Sequence, residues 1–118
     1  MRFGKFTSGL DIVLFSIYNK MRIIKNLKEF IWDKGNIDKN WIKHKVSDSE
    51  CEEVFFDENK VVLKDILHSN KEERFILLGK TKKERLLFVV FTVRNDKIRV
   101  ISARDVNQKE RKFYEKTT

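Results

Sequence analysis

The chain has 118 residues, of which 26 are Lys or Arg and 18 are Asp or Glu, giving a formal net charge of +8. This length predicts one domain, and a content of 41% hydrophobic and 37% charged residues predicts a globular protein with a heavily charged surface. The lack of proline and the presence of only four glycines exclude Pro-rich disorder and collagen-like repeats, while a single cysteine excludes an internal disulfide and favours a reducing compartment.

The N-terminal segment, residues 1–28, differs from the rest because its apolar residues follow neither a helical nor a strand period. Two interpretations are open: an additional helix, or sequence upstream of a native start at Met21. We treat 1–28 as an appendage with little part in function, and 29–118 as the single domain. The longest apolar run, 10–17, contains Asp11, is shorter than the ~20 residues of a membrane span and lacks a cleavage site, so we expect a cytoplasmic protein without membrane contact.

The next segment predicts a short strand and two helices. Residues 30–32 are β-prone and are followed by a turn at 33–36. Apolar and aromatic residues at helical spacing predict a first helix over 37–44. The sequence Ser47-Asp48-Ser49-Glu50 is a capping box, with Ser first and Glu three residues later, and marks the start of a second helix.

The remaining chain predicts four strands and a last helix. The strands are expected at 61–64, 74–79, 86–93 and 97–104, and an N-cap pattern at 107–110 begins the terminal helix. The order β-α-α-β-β-β-β-α predicts an α+β fold, in which two N-terminal helices and one C-terminal helix pack on an antiparallel sheet of four to five strands.

A two-residue hairpin fixes the register of the last two strands. Asn95-Asp96 tolerates the positive φ that such a loop requires, so Arg94 is expected opposite Lys97 and Thr92 opposite Arg99. One face of the sheet is then apolar. The opposite face is apolar at one end of the strands and basic at their other end. With a net charge of +8 we interpret the basic end as a surface for phosphate polymers or acidic proteins, the alternative being a merely solubilising charge.

A series of short motifs occurs in order between about residues 29 and 116. They are Trp32-Asp33, Asn40, Lys43-His44, Val46-Ser47, Glu52-Glu53-Val54-Phe55, Asp57, His68-Ser69, Glu72-Glu73-Arg74-Phe75, Leu78-Gly79, Val89-Val90-Phe91-Thr92, Ile98-Arg99-Val100-Ile101-Ser102-Ala103-Arg104, Glu110 and Tyr114. In this order and spacing they resemble the BrnT-type toxins. The resemblance implies a RelE-like fold and a bacterial type II toxin that cleaves mRNA without a metal or other cofactor. It also implies a ribbon-helix-helix antitoxin, expected in a 2:2 heterotetramer, with DNA bound only through the antitoxin.

Two residues depart from the family pattern. Lys45 stands after Lys43-His44, where the family usually has glycine, and a left-handed residue there costs roughly 1 kcal/mol without glycine. Asp105 stands after Ser-Ala-Arg, where a second arginine is common, and a negative charge repels phosphate. The alternative function is therefore a catalytically weak RNA- or protein-binding module that acts as corepressor with its antitoxin.

Cleavage by the RNA 2′-hydroxyl requires proton transfer and cations on the reacting phosphate. As catalytic residues we expect His68, in the loop before the strand predicted at 74–79, with Arg74, Arg94 and Arg104. By simple alternation Arg104 falls on the apolar face, which would instead pair it with a helix carboxylate such as Glu53. The expected RNA-binding residues are Lys43, His44, Lys97, Arg99 and Tyr114. For His44, which ends a helix, a capping role is equally expected.

Other site classes find no support in the sequence. One cysteine and two separated histidines do not form a zinc-ligand set, and the four glycines are too dispersed for a phosphate-binding loop. We therefore expect no metal and no cofactor.

Overall fold

The computed structural model describes residues 29–117 and shows an α+β fold with a four-stranded antiparallel sheet in the order β1-β2-β3-β4. The predictions for residues 1–28 lie outside the described residues. The elements are α1 (Lys39–His44), α2 (Asp48–Glu53), a 3-10 turn (Val54–Phe56), β1 (Val61–Lys64), a 3-10 turn (Ile66–His68), β2 (Phe75–Lys80), β3 (Leu86–Arg94), β4 (Lys97–Asp105) and α3 (Gln108–Thr117).

The strand predicted at 30–32 is not a fifth strand of the sheet. Phe30 forms a single parallel bridge to Ile98, in which the Ile31 N–H donates to the Ile98 carbonyl and the Ile98 N–H donates to the Glu29 carbonyl. The chain then turns, because the Asn36 N–H donates to the Asp33 carbonyl. A segment that turns so soon has no length in which to continue a ladder.

The two N-terminal helices are present but short. The capping box at the start of α2 is confirmed, since the Glu50 N–H donates to the Ser47 Oγ at 3.0 Å and the Ser47 N–H donates to the Glu50 Oε1 at 3.1 Å. Helix α1 lacks the first two residues of the predicted span, 37–44, and its buried residue is Asn40. It ends at Lys45 in the left-handed conformation, with φ 56°. Lys45, which stands where the family usually has glycine, therefore occupies a backbone conformation that favours glycine.

The predicted hairpin register is confirmed, but it does not continue along the strands. Asn95 and Asp96 have φ values of 51° and 61°, and Arg94 pairs with Lys97. Further along, Phe91 pairs with Val100 but Val90 pairs with Ser102, so Ile101 is an extra residue in β4. Such a β-bulge reverses the alternation of side chains between the two faces. The prediction that Arg104 lies on the apolar face is therefore wrong.

The two faces of the sheet are covered by different elements. The main core lies between one face and the N-terminal helices, with Phe55 packed edge-on against Phe91 at a centroid distance of 4.9 Å. On the other face, α3 covers one end, where Tyr114 packs with Leu78 and Leu86. At the opposite end of the sheet, the connection between β1 and β2 lies next to the β3–β4 hairpin end, where the Thr92 hydroxyl donates to the Glu73 carbonyl at 2.7 Å.

Candidate active site

Residues of the β1–β2 connection form a cleft with the nearby ends of β2 and β3. Its volume is about 560 Å³. The lining residues are Leu67, His68, Asn70, Lys71, Glu72, Arg74 and Arg94. The fold thus brings together three of the four residues that the sequence predicts as catalytic, although up to 26 positions separate them in the chain.

His68 is oriented within the cleft by a carboxylate on the same connection. Its Nδ1 lies 3.1 and 3.0 Å from the two side-chain oxygens of Asp65. Asp65 is fixed in turn, because its N–H donates to the Arg74 carbonyl at 2.8 Å and its carbonyl accepts a bond from the Ser69 hydroxyl. A histidine that donates through Nδ1 keeps its Nε2 available for proton exchange. The sequence analysis missed Asp65, although its spacing of three residues from His68 was a usable signal.

Arg94 reaches into the cleft from the end of β3 and forms a two-point ion pair with Glu72. The distances are 3.0 Å from Nε to Oε2 and 2.7 Å from an Nη to Oε1. The hydrogen bonds from Arg94 hold the pKa of the Glu72 carboxyl below its usual range. Glu72 is therefore ionised in the cleft, and it places a fixed negative charge beside the cation.

Arg74 precedes β2 and is the second cation of the cleft. The backbone N–H of Arg74 donates to the Ser69 Oγ at 3.1 Å, which links the last residue of the β1–β2 connection to its middle. Within residues 29–117 its guanidinium has no ion pair with a carboxylate, in contrast to Arg94. This side chain is thus the more available of the two for an incoming anion.

Arg99 and Lys97 flank the cleft on β4, but the prediction of a freely exposed basic face is wrong for Arg99. Its guanidinium binds both oxygens of Asp33 at 2.6 and 3.0 Å, and its side chain is only 13% exposed. The pKa of Asp33 is lowered by these bonds and, to a smaller extent, by the Gly35 N–H. Lys97 forms a more exposed pair with Glu29 at 3.2 Å.

Arg104 and Tyr114 lie elsewhere, between the sheet and α3. Arg104 binds both oxygens of Glu110 at 2.9 and 3.0 Å, and its guanidinium carbon lies 4.1 Å from the centroid of the Phe88 ring. The expected pair with Glu53 is therefore wrong, because the bulge directs Arg104 to the α3 side. Tyr114 is buried, and its hydroxyl donates to Asp57 Oδ2 at 2.7 Å. A buried phenol cannot stack on a nucleobase, so its predicted contact with RNA is not available in this conformation.

Lys43 and His44 lie on α1, close to an arginine that the sequence analysis did not single out. Arg85 donates to the His44 and Lys45 carbonyls, contacts Glu50 at 3.3 Å, and binds both oxygens of Asp105 at 2.7 and 3.0 Å. Arg85 therefore caps α1 and fixes the end of β4. Asp105 forms this structural pair at the β2–β3 hairpin end, away from the His68 cleft.

A larger cleft of about 790 Å³ lies near α2 and the β2–β3 hairpin. Its charged lining residues are mostly acidic, namely Glu52, Glu53, Asp57, Glu84 and Glu115 against Lys80 and Lys82. This charge balance does not suit a phosphate polymer. For RNA chemistry we therefore favour the smaller cleft.

The described residues do not favour metal or thiol chemistry. Within 29–117, no three His, Cys, Asp or Glu side chains are grouped as metal ligands. Cys51 is buried, which raises the pKa of its thiol to about 12, so it is not a thiolate nucleophile. None of the helices at 29–117 has the length and apolar character needed to cross a membrane.

Comparison with known families agrees with the resemblance seen in the sequence. Residues 32–110 match the model of a family described as "Ribonuclease toxin, BrnT, of type II toxin-antitoxin system". The match covers about two-thirds of the chain and includes every strand and the complete His68 cleft. No curated protein matches the chain with significant similarity. The chain therefore belongs to the BrnT family of ribonuclease toxins of type II toxin–antitoxin systems.

Proposed function

We propose that this toxin is an endoribonuclease that cleaves mRNA without a metal, by attack of the ribose 2′-hydroxyl on the adjacent phosphate, and that the His68 cleft is its active site. The observation that carries this proposal is the Asp65–His68 pair, placed in one cleft with the guanidinium groups of Arg74 and Arg94. The cleft thus combines a proton-exchanging group with cations beside it, as the reaction requires.

The cleft residues can be assigned to the steps of this reaction. Glu72, which is ionised, accepts the proton of the 2′-hydroxyl, and the freed oxygen attacks the phosphorus. The bond to the 5′ oxygen then breaks, and this leaving oxygen takes its proton from His68 Nε2, with the ring reacting as the imidazolium whose Nδ1–H stays on Asp65. The products are a 2′,3′-cyclic phosphate and a 5′-hydroxyl end. A DNA strand lacks the nucleophile and is not cleaved.

The arginines of the cleft stabilise charge on the phosphate during this reaction. Arg74 binds a nonbridging oxygen directly, while Arg94 is shared between the phosphate and Glu72. Lys97, at the nearby end of β4, extends the positive surface along the RNA strand, whereas Arg99 is neutralised by its ion pair with Asp33. Arg104 is too firmly held against α3 to take part, so we assign it a structural role.

The test is a cleavage assay with purified toxin on single-stranded RNA, and on DNA of the same sequence, in the presence of EDTA. We expect RNA cleavage in EDTA and intact DNA, and a loss of about 10²–10⁴-fold in rate for His68→Gln. The matched control is His44→Gln, whose ring lies on α1, and which should cleave normally. Loss of activity on chelation, equal attack on DNA, or full activity of His68→Gln would contradict the proposal. Absent cleavage by the wild type would favour the corepressor alternative.

We further propose that the partner is an antitoxin with a ribbon-helix-helix DNA-binding region, in a 2:2 complex that binds DNA through the antitoxin and forms in the cytoplasm. The family membership supports an antitoxin partner, and the net charge of +8 favours an acidic one. Coexpression with the neighbouring open reading frame, followed by a mass measurement of the purified complex, tests the stoichiometry.

Residues 1–28 are proposed to be dispensable, so deletion of 1–20 should preserve cooperative melting and toxicity.

A further inference from the structure

Helix α1 and the segment just before it carry three large exposed apolar side chains. Ile37, Trp41 and Ile42 are 49%, 48% and 74% exposed, and we call these three residues the α1 patch. Inside the same short helix the buried residue is polar, since Asn40 is 1% exposed. Single exposed apolar residues are ordinary, but three within six positions of the chain are a local concentration that favours an interaction.

The rim of the α1 patch is basic. Lys43 and Lys45 are exposed, and Lys39 lies at the start of the helix with its Nζ 3.2 Å from the Ile101 carbonyl. Two acidic residues lie close to this rim, Asp38 just before the helix and Asp48, whose Oδ2 accepts a hydrogen bond from the Asp38 N–H at 3.1 Å, so the basic residues remain in excess. A partner with carboxylates around an apolar centre would therefore be complementary to the α1 patch in both charge and polarity.

The side chains of the α1 patch favour a protein over RNA. The two isoleucines have no flat aromatic face on which a nucleobase could stack. Trp41 has such a face, but the ammonium group of Lys45 lies over it at 5.4 Å from the ring centroid. Trp residues ringed by other apolar contacts are instead typical of the residues that dominate binding energy in protein interfaces.

We propose that the α1 patch is the docking surface for the antitoxin, and that it receives an acidic antitoxin segment with apolar side chains that cover Trp41 and Ile42. This inference rests on the proposed toxin–antitoxin pairing, but not on the assignment of the His68 cleft, with which the patch shares no lining residue. Lys43 and His44 then belong to the partner surface and not to the RNA surface.

The experiment measures the dissociation constant of the purified toxin for the antitoxin encoded by the neighbouring gene, together with RNA cleavage by the toxin alone. Trp41→Ala should raise the dissociation constant by about 30-fold or more, and Ile42→Ser should also weaken binding. The control is Phe113→Ala on α3, a helical aromatic residue of similar exposure (43%), which should change binding less than about threefold. A melting curve of each variant verifies that it is folded.

The results separate the two proposals. Weakened antitoxin binding with normal RNA cleavage supports the docking surface. The docking surface is overturned if Trp41→Ala binds the antitoxin as well as the wild type does, or if the wild-type toxin does not bind the antitoxin. It is also overturned if Trp41→Ala loses RNA cleavage but keeps its antitoxin affinity, because the α1 patch would then be an RNA surface. If the wild type binds the antitoxin through Trp41 but cleaves no RNA, the ribonuclease proposal fails and the docking surface stands.

Discussion

The side-chain oxygen of Asn40 accepts a hydrogen bond from the backbone N–H of Ala103 at 2.9 Å, across 63 positions of sequence. Ala103 follows the extra residue of the β4 bulge. A second buried amide binds β4 just before the bulge, since Asn36 Nδ2 donates to the Val100 carbonyl at 3.0 Å. The two asparagines thus satisfy backbone groups on either side of the bulge, and the bulge determines the face on which Arg104 lies.

The first prediction concerns this bond. Asn40→Ala leaves the Ala103 N–H buried without its partner, and we expect it to reduce the free energy of unfolding by about 1–3 kcal/mol. Urea denaturation followed by fluorescence measures the change. The control is Asn59→Ala, at an exposed turn, which should stay within about 0.5 kcal/mol of the wild type. Equal stability of the two variants would show that the bulge does not depend on Asn40.

The second prediction concerns the left-handed residue that ends α1. Lys45→Gly removes the strain of a side chain at φ 56°, which is worth about 1 kcal/mol, but also removes the Lys45 contact with Trp41, worth about 0.5 kcal/mol. We expect a net stabilisation of about 0.5 kcal/mol. Lys43→Gly, inside the same helix, should destabilise by about 1 kcal/mol. Thermal melting of the two variants should therefore show shifts of opposite sign.

The third prediction concerns the orientation of His68. In Asp65→Asn an amide replaces the carboxylate, so the preference for a proton on His68 Nδ1 is lost. We expect kcat for RNA cleavage to fall about 10-fold or more while KM changes little. Nitrogen NMR of the imidazole ring should show a protonated, hydrogen-bonded Nδ1 in the wild type and the loss of this signal in the variant. Asp38→Asn, at an exposed position, is the control, and an unchanged Nδ1 signal in Asp65→Asn would contradict the positioning role.

The fourth prediction concerns stability in acid. Hydrogen bonds from Arg104 lower the pKa of Glu110 in the folded protein below its usual value of 4.5. The pair therefore stabilises the fold above about pH 4.5, and this contribution is lost as the pH falls through the lowered pKa. Arg104→Ala should be less stable than the wild type at pH 7, and this difference should decrease, by up to about 1 kcal/mol, between pH 7 and pH 3.

The control for this comparison is Lys112→Ala on the exposed side of α3, whose difference from the wild type should not depend on pH. Urea denaturation at both pH values measures the differences. A pH-independent deficit of Arg104→Ala would assign its effect to the contact with Phe88 alone. A loss of RNA cleavage without a loss of stability would instead make Arg104 part of the catalytic machinery.

The sequence by itself determined the features that depend on neighbouring residues. The Ser47–Glu50 capping box, the Asn95-Asp96 turn and the four alternating strands were predictable because each is stabilised by contacts within a few positions. The pattern of the β3–β4 hairpin likewise gave the correct pairs near its turn. His68, Arg74 and Arg94 were recognised as residue types suited to the chemistry, and the chain order placed them near adjacent strand ends.

Only the tertiary structure decided the features that depend on distant residues. The bulge at Ile101 is bound by asparagines more than 60 positions away, so alternation along β4 could not predict the face of Arg104. The pairing of Arg99 with Asp33 likewise joins residues 66 positions apart, and it converts an expected exposed cation into a largely covered partner of a surface ion pair. Local propensities contain no information about which distant carboxylate or amide will satisfy a given group, because that choice is made by the packing of the whole chain.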